Sequence, residues 1–113
     1  MKINLRLVRD INILDCSGRI TLGKGTTAVR NTIADILKGG GKRIVLNLAD
    51  VNYIDSSGVG ELVRTHTTLA NRGGDLKLLC LTKKVQEVLV IMKLLTVFQV
   101  YESEQDIIAS YSN

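Results

Sequence analysis

The spacing of the apolar residues changes several times along the chain, and each change marks a predicted element. Residues 3–7 alternate between aliphatic and polar side chains, which indicates a half-buried strand. Residues 9–10 predict a turn and residues 11–16 a second strand, which Ser17 and Gly18 end. The chain is therefore expected to open with a β-hairpin.

Helical spacing comes next, after a polar loop that contains glycine. Four aliphatic residues then recur at i, i+4, i+7 and i+8, as in an amphipathic helix: Val29, Ile33, Ile36 and Leu37. This helix is expected to start near Thr26 or Thr27. The glycine run at 39–41 should end it, because glycine accepts the left-handed conformation found at helix C-termini.

A central segment changes from strand to helix at a pair of serines. Residues 44–48 have the aliphatic and β-branched composition of a strand buried on both faces. The sequence then passes through residues 50–54 to Asp55-Ser56-Ser57-Gly58. From there the apolar residues follow helical spacing, at Val59, Leu62, Val63 and the pair Leu69-Ala70. This helix is predicted to end at residues 72–74.

The last third of the chain predicts another buried strand at residues 76–81, with apolar side chains on both faces. Thr82 is a candidate N-cap for a helix whose apolar face consists of Val85, Val88, Leu89 and Met92. A short strand at 97–100 and a short helix at 104–111 complete the prediction. Because strands alternate with helices, the later strands should pair in parallel, which makes the fold class α/β.

Composition supports one folded domain over residues 1–113. The hydrophobic fraction is 45% and the aromatic fraction only 4%, so the core must consist of isoleucine, leucine and valine. Residues 1–8 alternate and carry charge, which argues against a signal peptide. Residues 85–95 are too short and too polar to cross a bilayer. We therefore expect a cytoplasmic protein with no membrane partner.

Charge and cysteine content disfavour two further classes. Cys16 and Cys80 stand far apart without a CxxC pattern, so two buried free thiols are expected rather than a metal site or a disulfide. The net charge is +4, but the basic residues are scattered and the few aromatics are not interleaved with them. Nucleic-acid binding is therefore disfavoured.

Two features resemble chemical motifs but favour structural roles. Residues 18–26 nearly match a phosphate-binding loop, yet Gly25 stands where the magnesium-binding hydroxyl is needed. His66 follows the serines by about 15 Å along its helix, too far to act as their base, and is expected to be a packed residue with satisfied ring nitrogens. The G-x-S-x-G elbow of many hydrolases is missing. No catalytic residue is predicted.

The segment Asp55-Ser56-Ser57-Gly58 allows two interpretations. Serine or aspartate can cap a helix, and glycine eases the turn. Capping needs only one such residue, however, and an exposed hydroxyl near the positive end of a helix is also suited to carry a phosphate. That phosphate would add about −1.5 to −2 charges beside Asp55 and alter any surface that docks there. The residues alone leave both interpretations open.

The stretch VLNLADVNYIDSSGVGELV, residues 45–63, resembles the signature of the STAS domain, specifically that of bacterial anti-sigma factor antagonists. Their pattern is an aliphatic strand, an Asp-Val turn, an aromatic residue, and Asp-Ser-Ser/Thr-Gly with a second glycine two residues on. The resemblance extends to the opening hairpin, the Gly18 turn, the first helix, the glycine pair at 73–74 and residues 76–81. It implies an α/β domain with helices mainly on one side of a mixed sheet.

The resemblance also implies a function by partner exchange. An unphosphorylated antagonist binds an anti-sigma factor that is itself a serine kinase, and thereby frees a sigma factor. The kinase, holding ATP and magnesium, phosphorylates the serine after the aspartate, the complex separates, and a protein serine phosphatase resets the antagonist.

Here the implied acceptor is Ser56, with Ser57 the second choice. Asp55, Ser57, Gly58 and Val59 would form the docking loop. The chain itself would supply no catalytic group, cofactor or metal. Another implied role is a STAS scaffold or a non-sigma regulatory module in a signalling or transport complex.

Three departures from the family pattern bear on partner choice. Family members usually carry Gly-Glu-Ile/Leu-Asp where this chain has Gly18-Arg19-Ile20-Thr21, so a kinase that reads the acidic pair would meet a different surface. Thr21 is accordingly a candidate partner contact. Residues 93–94 replace a small-residue break late in the third helix. Val90 and Ile91 widen that helix's apolar face, which favours either extra core packing or an exposed patch for another partner or a homodimer.

Overall fold

The computed structural model describes residues 1–111, which form strands and helices in close alternation. In chain order these are β1 (Lys2–Val8), β2 (Ile11–Ile20), α1 (Lys24–Lys38), β3 (Arg43–Ile54), α2 (Ser56–Asn71), β4 (Asp75–Leu79), α3 (Lys83–Ile91), a 3₁₀ helix (Leu95–Val97), β5 (Gln99–Tyr101) and α4 (Glu104–Ala109). The strands make one sheet in the order β1-β2-β3-β4-β5. The first pair is antiparallel and the other pairs are parallel. The predicted α/β fold with an N-terminal hairpin is confirmed.

Strand β2 is longer than the sequence predicted. Ser17 and Gly18 do not end it, since it continues to Ile20, which pairs with Ile54 of β3. Two register shifts, one on each side of the Ser17–Gly18 pair, keep the strands aligned. Gly18 takes a φ of 108°, in the region that favours glycine. A β-bulge lets pairing continue past residues that otherwise look like a turn.

Helix α1 begins at Lys24, before both of the predicted starts. Its N-cap is Gly23, which offers no side chain to the first turn, so no capping residue marks the start in the sequence. The Thr27 N–H donates to the Gly23 carbonyl at 3.0 Å. At the other end Gly39 is the C-cap, as the glycine run predicted.

The end of β4 was also predicted imperfectly. The strand stops at Leu79 instead of residue 81, because Cys80 adopts a φ of 57° and turns the chain. Thr82 then caps α3 as predicted, with its hydroxyl oxygen accepting from the Val85 N–H at 3.3 Å. Strand β5 starts later than predicted, because residues 95–97 form the 3₁₀ helix.

Both cysteines are free thiols. Cys16 is buried, whereas Cys80 is only half-buried, so the prediction of two buried thiols is confirmed for Cys16 alone. Burial raises the pKa of the Cys16 thiol to about 12 and also raises the pKa of Cys80. Neither side chain is therefore a reactive thiolate at neutral pH.

Three helices cover one face of the sheet, and α4 covers the other. The larger core cluster joins the sheet to α1, α2 and α3, whose members in it are Val29, Ile33, Ile36, Val59, Leu62, Leu69, Val85 and Leu89. The smaller cluster joins the opposite face to α4 through Ile107. The helices thus lie mainly on one side, as the resemblance implied. On α2, Leu69 is buried and its predicted companion Ala70 is exposed.

The apolar residues at the end of α3 are exposed, so the expectation of extra core packing is wrong. Val90 is 52% exposed and Ile91 is 79% exposed. Met92, predicted to share the buried face, is 40% exposed because the helix has already ended at Ile91. Among residues 1–111, no helix combines the length and the apolar content that a bilayer span requires.

Arg6 on β1 ties the hairpin to α4. Its guanidinium donates to both oxygens of Asp15, at 2.6 and 3.0 Å, and to both oxygens of Glu104, at 3.2 and 2.7 Å. Asp15 also accepts from the Asn47 side chain on β3 at 2.9 Å. These bonds, that to Arg6 above all, hold the pKa of the Asp15 carboxyl below its ordinary value.

Replacing Arg6 should make the free energy of unfolding less dependent on pH in the acidic range. The folded-state pKa of Asp15 is depressed below its ordinary value of 3.8, so its stabilisation is present above that pH and lost as pH falls through the folded-state pKa. We expect Arg6→Gln to lower the free energy of unfolding by up to about 1 kcal/mol at neutral pH. Urea denaturation between about pH 6 and about pH 3 should show a smaller loss of stability in the variant. Arg64→Gln, at an exposed position on α2, is the control, and parallel pH profiles for Arg6→Gln and the wild type would contradict the assignment.

Candidate functional site

Two neighbouring strands end side by side where the serines lie. Ile20, the last residue of β2, pairs with Ile54, the last residue of β3. The Asp55 N–H donates to the Ile20 carbonyl at 3.4 Å. Because both strands run in the same direction, Thr21 leaves the sheet next to Asp55. The structure thus brings Thr21 and the Asp55–Ser56 segment together, though they are far apart in sequence.

Asp55 joins the start of α2 to the loop that follows β2. One carboxylate oxygen accepts from the Gly58 N–H at 2.8 Å, which makes Asp55 the N-cap of the helix. The other oxygen accepts from the Leu22 N–H at 3.2 Å. These backbone donors, Gly58 first, lower the pKa of the Asp55 carboxyl. Asp55 is therefore ionised at neutral pH and already committed to both bonds.

Ser56 is the first residue of α2 and is exposed. Within residues 1–111 its hydroxyl makes no hydrogen bond, because Asp55 has taken over the capping role. Ser57 is half-buried. The first turn of a helix carries free N–H groups and partial positive charge, so an anion on the Ser56 oxygen would lie in a favourable field. Asp55 therefore accounts for the cap, and the Ser56 hydroxyl is left exposed.

The other predicted site residues lie beneath this surface. Gly58 is buried, and a Cβ atom there would overlap the carbonyl oxygen of Ile20. Val59 is 1% exposed and packs in the larger core cluster. Both residues therefore hold the first turn of α2 against the sheet. Gly60, by contrast, is exposed, and nothing lies within 4 Å of the place its Cβ would take.

A pair of cations beside the serines was not foreseen. The Arg19 guanidinium lies 4.6 Å from the centre of the Tyr53 ring, and the Lys84 ammonium lies 5.4 Å from the same centre. Neither cation has a carboxylate within 4 Å among residues 1–111. The Thr82 hydroxyl, which donates to the Val51 carbonyl at 2.8 Å, holds the start of α3 beside β3 and so places Lys84 there. No local sequence pattern joins residues 19, 53 and 84.

The remaining candidates of the sequence have structural surroundings. His66 packs edge-on against Phe98, with ring centres 5.6 Å apart, but its Nδ1 is buried without a hydrogen-bond partner, so the expectation of satisfied ring nitrogens is wrong. Gly25 is buried, and a Cβ there would overlap the Arg19 carbonyl oxygen. Within residues 1–111, His, Cys, Asp and Glu form no group of three suited to a metal. Clefts of about 130 to 550 Å³ lie on the surface of the described part of the chain, and Ser56 does not line these.

The two glycines of α2 should respond oppositely to alanine. Gly58→Ala should destabilise the protein by about 1–3 kcal/mol, because the new methyl group overlaps backbone of β2. Gly60→Ala should stabilise it by about 0.5–1 kcal/mol, because alanine has the higher helix propensity and its methyl group meets open space. Urea denaturation of both variants measures the difference, and equal effects would show that Gly58 is not a close-packing position.

Comparisons with known proteins show the family and the fold of the chain. The sequence matches the STAS domain family over residues 2–107. A Thermotoga maritima protein proposed to be an anti-sigma factor antagonist is 23% identical, over 98% of this chain and 95% of that one, with a TM-score of 0.90. The Bacillus cell-fate determinant SpoIIAA, in its phosphorylated form, is 20% identical over 96% of this chain and 99% of that one, with a TM-score of 0.74.

The same fold also occurs in a transport setting. A sulfate transporter family protein from Wolinella succinogenes is 17% identical over 93% of this chain and 87% of the other, with a TM-score of 0.78. At such identities these structures establish the fold alone. The match to the sequence family covers nearly the whole chain, and the Asp-Ser-Ser-Gly segment lies where β3 meets α2. The chain therefore belongs to the STAS domain family.

Proposed function

We propose that this protein is an anti-sigma factor antagonist whose partner binding is switched by phosphorylation of Ser56. The observation that carries the proposal is the exposed Ser56 hydroxyl at the first position of α2, which has no hydrogen-bond partner within residues 1–111, beside an aspartate that caps the helix in its place. In this proposal the unphosphorylated protein binds an anti-sigma factor serine kinase in the cytoplasm. A protein serine phosphatase restores that form after phosphorylation.

The docking surface would consist of the exposed residues around Ser56. Leu22, whose N–H is bonded to Asp55, is 77% exposed and offers an apolar contact close to the hydroxyl. Thr21 and Ser57 are half-buried and lie at the same end of the sheet. Gly58 and Val59 would contribute by fixing the backbone of the first turn, since both are buried.

Phosphorylation would change this surface mainly through its charge. The kinase would transfer the γ-phosphoryl group of its own ATP to the Ser56 oxygen, with loss of the hydroxyl proton. The product carries about −1.5 to −2 charges beside Asp55, which is already ionised. A partner that fits the neutral hydroxyl would then meet a bulky dianion. The proposed function needs no catalytic group from this chain, which makes the protein a kinase substrate.

Replacing each serine should separate the two candidate acceptors. In the experiment, each anti-sigma factor kinase of the host is incubated with ATP, Mg²⁺ and one of three proteins: the wild type, Ser56→Ala or Ser57→Ala. Peptide mass spectrometry should find phosphate on wild type and on Ser57→Ala, and none on Ser56→Ala. Ser56→Asp should weaken binding to the same kinase by roughly tenfold or more, about 1.4 kcal/mol. A kinase that binds the protein but leaves Ser56 unmodified would contradict the proposal.

The cation pair at Tyr53 would select a partner with an acidic contact surface. Arg19 and Lys84 are both exposed and have no carboxylate within 4 Å among residues 1–111. Charge complementarity across an interface raises the association rate and excludes partners of the wrong sign. A phosphate on Ser56 would offset this positive charge and so weaken attraction to the same partner.

Reversing these two charges tests that role. Arg19→Glu/Lys84→Glu should slow association with the kinase by about tenfold or more at low salt, and the difference from wild type should shrink as salt is raised to about 0.3 M. Surface plasmon resonance measures both rates. Lys38→Glu/Arg72→Glu reverses two charges at the far ends of α1 and α2 and should leave association unchanged. Equal effects of the two double variants would show that only net charge matters.

A STAS scaffold or non-sigma module in a signalling or transport complex is the second candidate. The similarity to the sulfate transporter family protein is the observation that favours it. Recovery of a transporter or a scaffold paralogue, with no kinase, in affinity purification from the host would support this candidate over the first.

A further inference from the structure

A concave site lies at the opposite end of β3 from the serines. It is a cleft of about 550 Å³ bounded by the glycine turns that follow α1 and α2, and by the residues after α4. Its wall includes Arg43 and Asp75, the first residues of β3 and β4, together with Lys77 and Tyr111. A cleft of this size falls in the range that holds small molecules. Nothing in the proposed function uses it.

Lys77 is the unusual feature of this cleft. It is only 4% exposed, yet no carboxylate lies within 4 Å of its ammonium among residues 1–111. The ammonium donates to the Ser110 hydroxyl at 2.6 Å and lies 3.8 Å from the centre of the Tyr111 ring. An ammonium has three donors, and a buried charge normally pairs with an opposite charge. Lys77 therefore has donors and charge left for a further partner.

Other cations line the cleft. Lys42 is exposed at its rim. Arg43 lies 5.3 Å from the Tyr111 ring centre and donates to Asp10 at 3.2 Å. The carboxylate of Asp10 is thus already paired with Arg43. Of the remaining charged groups in the cleft, Lys42 and Lys77 are positive and Asp75 is negative. The excess of positive charge favours an anion as the occupant.

Two buried oxygens in the cleft, Asp75 Oδ1 and the Tyr111 hydroxyl, lie close to each other. Within residues 1–111 neither of them makes a hydrogen bond of good geometry. Burial first, and then the nearby Asp75 charge, raise the pKa of the Tyr111 hydroxyl, so it stays protonated at neutral pH. Asp75 and Lys77 alternate to the same face of β4, about 7 Å apart along the strand. A group that donates to Asp75 can therefore lie next to one that accepts from Lys77.

We propose that this cleft binds a small hydroxylated phosphate ester. Its phosphate would accept from Lys77 and face Lys42, and its hydroxyl groups would donate to Asp75 and exchange a hydrogen bond with Tyr111. A phosphate monoester carries close to two negative charges at neutral pH, and Lys42 and Lys77 would both face it as counter-ions. Its hydroxyl groups supply the partners that the two buried oxygens lack.

Isothermal titration calorimetry of the full chain with ribose 5-phosphate, inorganic phosphate and ribose tests each part of this proposal. Ribose 5-phosphate should bind saturably, inorganic phosphate should bind roughly three- to tenfold more weakly, and ribose should not bind at concentrations up to about 10 mM. Absence of saturable binding by ribose 5-phosphate would overturn the proposal. Equal affinity for phosphate and ribose 5-phosphate would overturn the role of Asp75 and Tyr111.

Two variants connect the binding to named atoms. Lys77→Met removes the charge with little change in side-chain volume and should weaken the binding of ribose 5-phosphate by roughly tenfold or more. Tyr111→Phe removes only the hydroxyl. It should weaken the binding of ribose 5-phosphate by about threefold or more and leave the affinity for inorganic phosphate unchanged. Thermal melting checks that each variant folds. If Lys77→Met does not fold, the binding measured with Tyr111→Phe decides the test. Undiminished ribose 5-phosphate binding by folded variants would place the ligand elsewhere. Ser56→Ala is the control and should bind as wild type, so this result does not depend on the serine switch.

Discussion

The Asp55 carboxylate is the contact on which the serine site depends. One of its oxygens caps α2 through Gly58, and the other holds the Leu22 N–H of the loop after β2. This side chain thus links the first turn of α2 to the loop after β2, and the Asp55 backbone N–H joins both to the end of β2. Since Asp55 supplies the cap, the neighbouring Ser56 hydroxyl makes no hydrogen bond to any other part of residues 1–111. Gly58 completes the junction because only a residue without a Cβ can approach the Ile20 carbonyl so closely.

The sheet explains how this junction is held in place. Parallel pairing of β2 with β3 puts Ile20 beside Ile54. The buried Val59 packs in the larger core cluster and so fixes the start of α2 on the face of the sheet that α1, α2 and α3 cover. At the opposite end of β3, the loops after α1 and α2, together with Ser110 and Tyr111, line the cleft that contains Lys77. The two ends of one strand therefore present different chemistry: an exposed hydroxyl at one, and a buried cation beside Asp75 and Tyr111 at the other.

The sequence predicted those parts of the molecule that depend on local patterns. The change of period at the serines, the Thr82 cap and the glycine run after α1 were all correct, because helix ends are decided by a few adjacent residues. The end of β2 was wrong because bulges beside Ser17 and Gly18 preserve the pairing with β3. The start of α1 was wrong because Gly23 caps it without a side chain.

Features that depend on packing between distant segments could not be predicted. Lys77 lies in an apolar strand, and its burial follows from α4 covering that face of the sheet. The sequence singled out Arg19 only as a departure from a family pattern. Its pairing with Lys84 at Tyr53 depends on where the start of α3 packs, which no local pattern shows. Val90 and Ile91 lie within α3 but outside the face that buries Val85 and Leu89, so they stay exposed.

The central claim is that a second protein docks where the Ser56 hydroxyl is presented. The most direct measurement is the change in backbone amide chemical shifts of the ¹⁵N-labelled protein when an anti-sigma factor kinase that binds it is added. The account predicts that the largest changes fall on Thr21, Leu22 and the first turn of α2, with the Lys77 cleft unaffected. Changes centred on the exposed end of α3 or on α4, with none at Ser56, would contradict it.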